Sequence, residues 1–431
     1  MVKKCYRLLL ALLLTVWSLG VCSQNADITA SELIADGRWF ELKRHFDAHK
    51  DSMSAPLRDY AKAWVYSAFD NRRAACRAIR YLLRHRADAL TPDTYLRLVQ
   101  ELACVLHRDG RDKQAAKVFR RYCRQGVAGA DSSAVADNRR YEALYKAYAA
   151  CPQKVFKCHG DAVIPFRLDS VGSAGHASVG VMIPARLNGT LLTACFDTGS
   201  SANVLSLRLA RRLHLRLTDV PVKVDGASRI EGRMAFADSL SMGNVVLRNV
   251  PFYVFDTPVS DAESTYNLAH LQFILGMPWM EALGTVHVRL KDRVIVSPAW
   301  QPLCYEEPNL CYSLSARVLN TRLQHADYTF EAVPDFGASH TVWGRAFMDC
   351  HRDYVLEYGR RKNVVYGGLG GMKEGMEYVL HGFDVQLGYL RHTFPAVPVF
   401  EQEADNLLGM DFFCCYREVV FDLKNMLLSV Y

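Results

Sequence analysis

The sequence predicts a multidomain chain, an α-helical hairpin array followed by a mainly-β bilobal region. Three observations carry this. Apolar residues recur at helical spacing between residues 30 and 150, short alternating segments replace them after Cys151, and one acid-bearing block occurs twice within the alternating part. The expected divisions are 1–23, 24–155, 160–300 and 305–431.

Residues 1–23 read as a signal peptide. Lys3, Lys4 and Arg7 precede the apolar run Leu8 to Val16, and Val21-Cys22-Ser23 offers a small-residue cleavage site. The apolar run is too short to span a bilayer. Export to the periplasm or the exterior is the expectation, with a membrane anchor only if Cys22 carries lipid. The whole chain has 431 residues, 50% hydrophobic and 23% charged, which is ordinary globular composition. Residues 24–150 hold 23 basic against 16 acidic side chains, whereas 151–431 hold 26 against 29. That excess suits a solvated helical surface. No dense basic patch interleaved with aromatics argues for nucleic acid.

Within 24–155, Tyr60, Ala63, Trp64 and Ser67 form one helical stripe, broken at Asp70-Asn71 and followed by Ala74, Ala78, Tyr81 and Leu82. Leu96, Val99, Leu102, Ala103 and Leu106 form another, broken at Asp109-Gly110 before Ala115, Ala116, Phe119 and Tyr122. Such an array offers a surface to a protein partner, or simply packs on its neighbour.

Ala194-Cys195-Phe196-Asp197-Thr198-Gly199-Ser200-Ser201 recurs as Ala332-Val333-Pro334-Asp335-Phe336-Gly337-Ala338-Ser339. Each copy leads to an apolar pair and glycine, Ile274-Leu275-Gly276 and Leu407-Leu408-Gly409, at 79 and 74 residues from its aspartate. Leu290-Lys291-Asp292 and Leu423-Lys424-Asn425 begin 14 residues past each glycine. Strands are expected at Val179–Ile183, Val245–Val250, Val286–Leu290, Val294–Val296, Val419–Phe421 and Leu427–Ser429. One aspartate per half points to chemistry that needs two facing carboxyls. Held close, they share a proton, and one can act as base while the other acts as acid.

The first block resembles a lobe of the retropepsin-like and pepsin-like aspartic peptidases, and the resemblance covers roughly 175–431. It implies a peptidase on polypeptide substrate with catalytic Asp197 and Asp335, and no cofactor or metal. It also implies that Thr198 crosses to the opposing backbone, that Ser200 bonds the outer oxygen of Asp197, and that Gly199, Gly337, Gly276 and Gly409 support the dyad. Gly226, Ala227 and Ser228 would form a flap, with Gly368, Leu369 and Gly370 its partner. The helical part resembles tetratricopeptide-type hairpins, without the full pattern. The second block departs from the family: Phe336 stands where Thr or Ser is expected, and Pro334 removes a backbone donor. Two other readings therefore stand beside a monomeric peptidase. One is a peptide-binding pseudoprotease; the other is a homodimer active through Asp197.

Cys151 and Cys158, and Cys304 and Cys311, are each seven apart ahead of the two blocks, a spacing that permits disulfides in an exported chain. Cys195 is expected as a buried free thiol. The Gly367–Gly371 run lacks the pattern of a phosphate loop, and a mobile hairpin is the simpler reading.

Overall fold

The computed structural model describes residues 21–431 except 126–131, 158–159, 172–177, 227–228, 257–268, 301–305, 315–316, 370 and 403. The chain divides into two compact units, one ending at Glu142 and one running from Ala143 to Tyr431. Of the expected signal peptide 1–23, residues 1–20 lie outside the described residues.

The first unit is helical: α1 (Val21–Asp36), α2 (Trp39–His49), α3 (Ala55–Ala68), α4 (Arg72–His85), α5 (Pro92–Arg108), α6 (Asp112–Gln125) and the start of α7 (Ser132–Ala150). Its breaks fall where the sequence puts turn residues. Asp70 and Gly110 both take left-handed φ, and Asn71 accepts from Ala74 N at 3.3 Å to cap α4. Asp70 has a second job. Its carboxylate accepts from Arg108 Nε at 3.0 Å, while Arg108 Nη2 reaches Ser67 O at 3.3 Å. Buried Glu101 accepts from the Ser67 hydroxyl. This satisfied polar cluster ties α3 to α5, beside a Trp39–Trp64 stack at 5.9 Å. Among the described residues, no helix is long and apolar enough to cross a membrane.

The second unit is mainly β. After β1 (Lys154–Lys157), β2 (Ala162–Pro165) and β3 (Arg167–Val171) come β4 (Ser178–Leu187), β5 (Thr190–Phe196), β6 (Val204–Ser206) and α8 (Leu207–Arg212). Next are β7 (Arg216–Asp225), β8 (Arg229–Met242), β9 (Val245–Phe255), β10 (Phe273–Leu275), α9 (Met277–Leu283), β11 (Thr285–Arg289) and β12 (Val294–Ser297). The second half holds β13 (Leu310–Tyr312), β14 (Leu319–His325), β15 (Tyr328–Pro334), α10 (Arg345–Cys350), α11 (Arg352–Tyr358), β16 (Arg360–Gly368), β17 (Gly371–Leu387), β18 (Leu390–Phe400), β19 (Leu407–Leu408), α12 (Met410–Phe413), β20 (Glu418–Asp422) and β21 (Leu427–Val430).

Two sheets share one strand order. The first contains β10-β5-β4-β8-β7, and the second contains β19-β15-β14-β17-β16. In both, the short strand before the glycine runs parallel to the strand before the aspartate: Leu275 pairs Phe196, and Leu408 pairs Pro334. Turn chemistry fixes the first hairpin, since Asn188-Gly189 joins β4 to β5 with both residues at positive φ. A third sheet, β2-β12-β11-β20-β21, draws strands from both halves. At its centre Thr285 pairs Asp422 and Arg289 pairs Glu418. The apolar core runs through all three sheets, with Phe196, Trp279, Phe336 and Phe421 inaccessible to solvent.

Candidate active site

Each aspartate leaves the end of a core strand. Asp197 N donates to Leu275 O at 3.0 Å, and Asp335 N donates to Leu408 O at 2.9 Å. Each turn is then locked from below, by Met277 N to Ser200 O at 2.8 Å and by Met410 N to Ala338 O at 2.9 Å. The supporting glycines are required by space. A Cβ on Gly276 would lie 2.3 Å from Ala202 O, and one on Gly409 would lie 2.5 Å from the His340 carbonyl carbon. Both N–H groups are satisfied by side chains six residues past the aspartates. Gly276 N donates to Asn203 Oδ1 at 3.2 Å, and Gly409 N donates to Thr341 Oγ1 at 3.0 Å. Asn203 and Thr341 were not among the expected residues. Their signal was a polar side chain at the same offset in both blocks, amid apolar surroundings.

The two turns face each other. A Cβ on Gly199 would sit 2.6 Å from Asp335 Cγ, and one on Gly337 would sit 2.5 Å from Asp197 Cγ. Neither glycine has a left-handed φ, so the close approach of the opposite carboxyl is what excludes a side chain. Asp335 Oδ1 accepts from Gly337 N at 2.7 Å and from Gly199 N at 3.3 Å. The carboxyls also hydrogen-bond each other.

Thr198 crosses between the halves. Its hydroxyl donates to Pro334 O at 2.5 Å and accepts from Phe336 N at 2.9 Å. Phe336 offers no matching hydroxyl. Its ring instead stacks on Phe413 at 4.7 Å, lies 5.4 Å from Phe196 of the first half, and meets Phe421 edge-on at 5.8 Å. Ser200 differs from expectation. Its hydroxyl donates to Ala202 O at 2.8 Å, not to Asp197. The Ala202 carbonyl is turned inward against Gly276, where an unmet acceptor would be costly, and the hydroxyl satisfies it.

Burial raises both acids. Asp197 is held well above the ordinary carboxylate range by desolvation, then by the charge of Asp335 and the hydrogen bond between them. Asp335 is also raised by desolvation, but the Gly337 N–H, the bond from Asp197, and the Ala338 and Gly199 N–H groups pull it back. Cys195, a buried free thiol on β5, is pushed up by burial and then by both aspartates. Among the described residues, no group of three His, Cys, Asp or Glu side chains is disposed to hold a metal ion.

Two long hairpins, β7–β8 and β16–β17, carry Gly226, Gly368 and Leu369 of the expected flap residues. Asp225 pairs Arg229 and Gly368 pairs Gly371 at their ends. The tips touch: a Cβ on Gly226 would lie 2.3 Å from Leu369 O. Ala227, Ser228 and Gly370 lie outside the described residues. So do Cys158 and Cys304; Cys151 is a free thiol that accepts from Arg216 Nη2 at 3.1 Å.

Two facing carboxyls that share a proton on glycine turns are equipment for acid–base hydrolysis. Residues 183–279 match the family model described as aspartyl protease, which supports an aspartyl protease domain and hence peptidase activity on polypeptide. The matched span holds Asp197, the β7–β8 hairpin and Gly276, and ends before Asp335. No curated protein matches the chain significantly.

Proposed function

We propose that the chain is an exported aspartic endopeptidase of pepsin-like bilobal plan, with residues 24–155 forming a helical repeat-like domain that can receive a protein partner. Asp197 and Asp335 would be the catalytic dyad and hold the lytic water. One carboxylate takes a proton from this water as its oxygen attacks the scissile carbonyl carbon, and the protonated partner gives its proton to the carbonyl oxygen. As the tetrahedral diol collapses, one of its hydroxyls returns a proton to the carboxylate that had given one up. The C–N bond breaks, and the amine nitrogen takes the proton that the other carboxyl drew from water, which leaves the dyad with one shared proton. An extended peptide would lie between the dyad and the hairpin tips, pairing its backbone with hairpin edges.

The observation that carries this reading is reciprocal: each block's glycine is pressed against the other block's carboxyl. The same observation favours a dyad completed within one chain over a homodimer joined through Asp197. It also favours a peptidase over a pseudoprotease, because Asp335 is 9% exposed and aimed at its partner despite the Phe336 and Pro334 departures. The test is Asp197→Asn and Asp335→Asn, made separately and assayed on an unfolded protein substrate from acidic to neutral pH. Loss of cleavage in both is expected. Full activity in Asp335→Asn would refute the intramolecular dyad.

A further inference from the structure

The geometry points to a polarised dyad in which Asp335 is the ionised, water-activating carboxylate, Asp197 carries the proton, and Phe336 is the positioning residue that fixes this order. The inference rests on the peptidase reading and assigns roles that the duplicated sequence leaves open.

The argument begins with a broken symmetry. Thr198 grips the second block on both sides of its aspartate, through Pro334 O and Phe336 N. The reciprocal grip would need a hydroxyl at position 336, and the phenyl ring has none. The backbone of the Asp335 turn is therefore gripped by a hydroxyl from the opposite half, and the backbone of the Asp197 turn receives no matching hydroxyl from position 336. Phe336 instead packs beneath the pair, its ring against Phe196 and Phe413.

Pinning directs the backbone dipoles unequally. Asp335 Oδ1 receives an N–H from its own turn, Gly337 at 2.7 Å, and one across the interface, Gly199 at 3.3 Å. The Gly337 N–H is thus directed at Asp335, although the Asp197 carboxyl lies against the same glycine. Asp197 has the Ser200 and Gly199 N–H groups, whereas Asp335 has those of Gly337, Ala338 and Gly199. Donors aimed at a carboxyl stabilise its charged form, so the larger and closer set places the negative charge on Asp335. A carboxyl beside that charge keeps its proton, and the hydrogen bond between the pair then runs from Asp197 to Asp335. Burial raises both carboxyls, and Asp197 is the one held well above the ordinary range. The groups facing the pair are the N–H groups of Gly199, Ser200, Gly337 and Ala338, and the protonated thiol of Cys195.

The test is a carboxyl-carbon NMR titration of the full chain, labelled at aspartate Cγ. Asp197→Asn and Asp335→Asn identify the two signals, and backbone-linked assignment replaces them if either variant melts early. The expected result is that Asp335 ionises first and Asp197 follows at higher pH, separated by about one unit or more as coupled sites are. Phe336→Thr supplies the missing hydroxyl and should narrow the interval, while Phe336→Leu should keep it. Asp197 ionising first, or equal intervals in the Thr and Leu variants, would overturn the proposal. The titration needs no turnover. A chain with the expected order that cuts no peptide therefore defeats the peptidase reading alone, whereas a cleaving chain with the reverse order defeats the polarity alone.

Discussion

Placing a methyl group at Gly337 should damage an aspartate that belongs to the other half of the molecule. In Gly337→Ala the new Cβ would meet Asp197 Cγ at 2.5 Å and its oxygens at 2.7 and 2.8 Å. Ordinary carbon contacts begin near about 3.5 Å, so something must retreat by about 1 Å. Neither turn is free to do so. The Asp197 turn is held by its bonds to Leu275 O and from Met277 N, and the Asp335 turn by its bonds to Leu408 O and from Met410 N. Overpacking of this kind costs about 1–3 kcal/mol of stability. A 1 Å misplacement of a reacting group costs about 100-fold in rate, which corresponds to about 2.7 kcal/mol of barrier at about 1.36 kcal/mol per decade. The measurement is kcat/KM on a fluorogenic unfolded protein, with a thermal melt of each variant. Gly199→Ala should behave alike by displacing Asp335. Gly388→Ala is the control: that glycine has φ +59° and nothing within 4 Å of its would-be Cβ, so it tests backbone strain away from the dyad and should leave the rate intact. Gly337→Ala with full folding and the parental rate would refute the facing-carboxyl geometry.

Further outcomes follow from the same contacts. Asp197 is raised on folding, so its contribution to stability is complete below the unfolded carboxyl pKa of about 3.9 and lost as pH climbs through the folded value. Asp197→Asn should therefore melt higher relative to the parent at pH 7 than at pH 3.5, and calorimetry showing a pH-independent difference would contradict this. Thr198→Val leaves buried Phe336 N and Pro334 O unpaired, a loss of about 3 kcal/mol, or roughly 6–12 °C in the melting temperature of the β unit. An unchanged melt would mean that the crossing hydroxyl contributes nothing. Gly226→Ala should part the hairpin tips, since its Cβ would meet Leu369 O at 2.3 Å. Faster amide exchange at Val222–Val224 and Val364–Tyr366 with a higher KM is expected, and unchanged exchange would argue against tip contact.

Much of the architecture was legible because it depends on local chemistry. Asp70-Asn71 and Asp109-Gly110 read as breaks, and both sites need left-handed backbone, which Asp and Gly tolerate. The repeated aspartate, glycine and hairpin spacings were legible because they are one-dimensional traces of a shared strand order. What escaped was set by partners distant in sequence. Pro334 read as a lost donor, yet β15 spends the N–H groups of Val333 and Asp335 on Asn406 O and Leu408 O. Position 334 points its nitrogen the other way, so proline removes no bond to β19, and its carbonyl becomes the acceptor for Thr198. Ser200 was assigned to the carboxyl because the sequence does not show that Ala202 O would be turned inward beside it. Phe336 read as a missing hydroxyl because a sequence records the loss of a group but not the cavity that the replacement fills.

That last difference bears on why the two blocks differ at this position. An offset of 133 residues carries the pairing of Thr285 with Asp422 onto the pairing of Glu418 with Arg289, so β11 and β20 meet about a local twofold. Pairing there is self-complementary in backbone terms, and either copy can change side chains without losing register. The residue after each aspartate is constrained differently. A symmetric pair of separate chains would have to place two identical side chains on the axis, two hydroxyls or two phenyl rings. Joining the halves in one chain removes that demand. Thr198 can then supply the hydrogen bonds, and Phe336 can occupy the space between Phe196, Phe413 and Phe421. On this argument the change at position 336 gives up a hydroxyl for packing, with its ring fully buried and set against Phe196 of the first half.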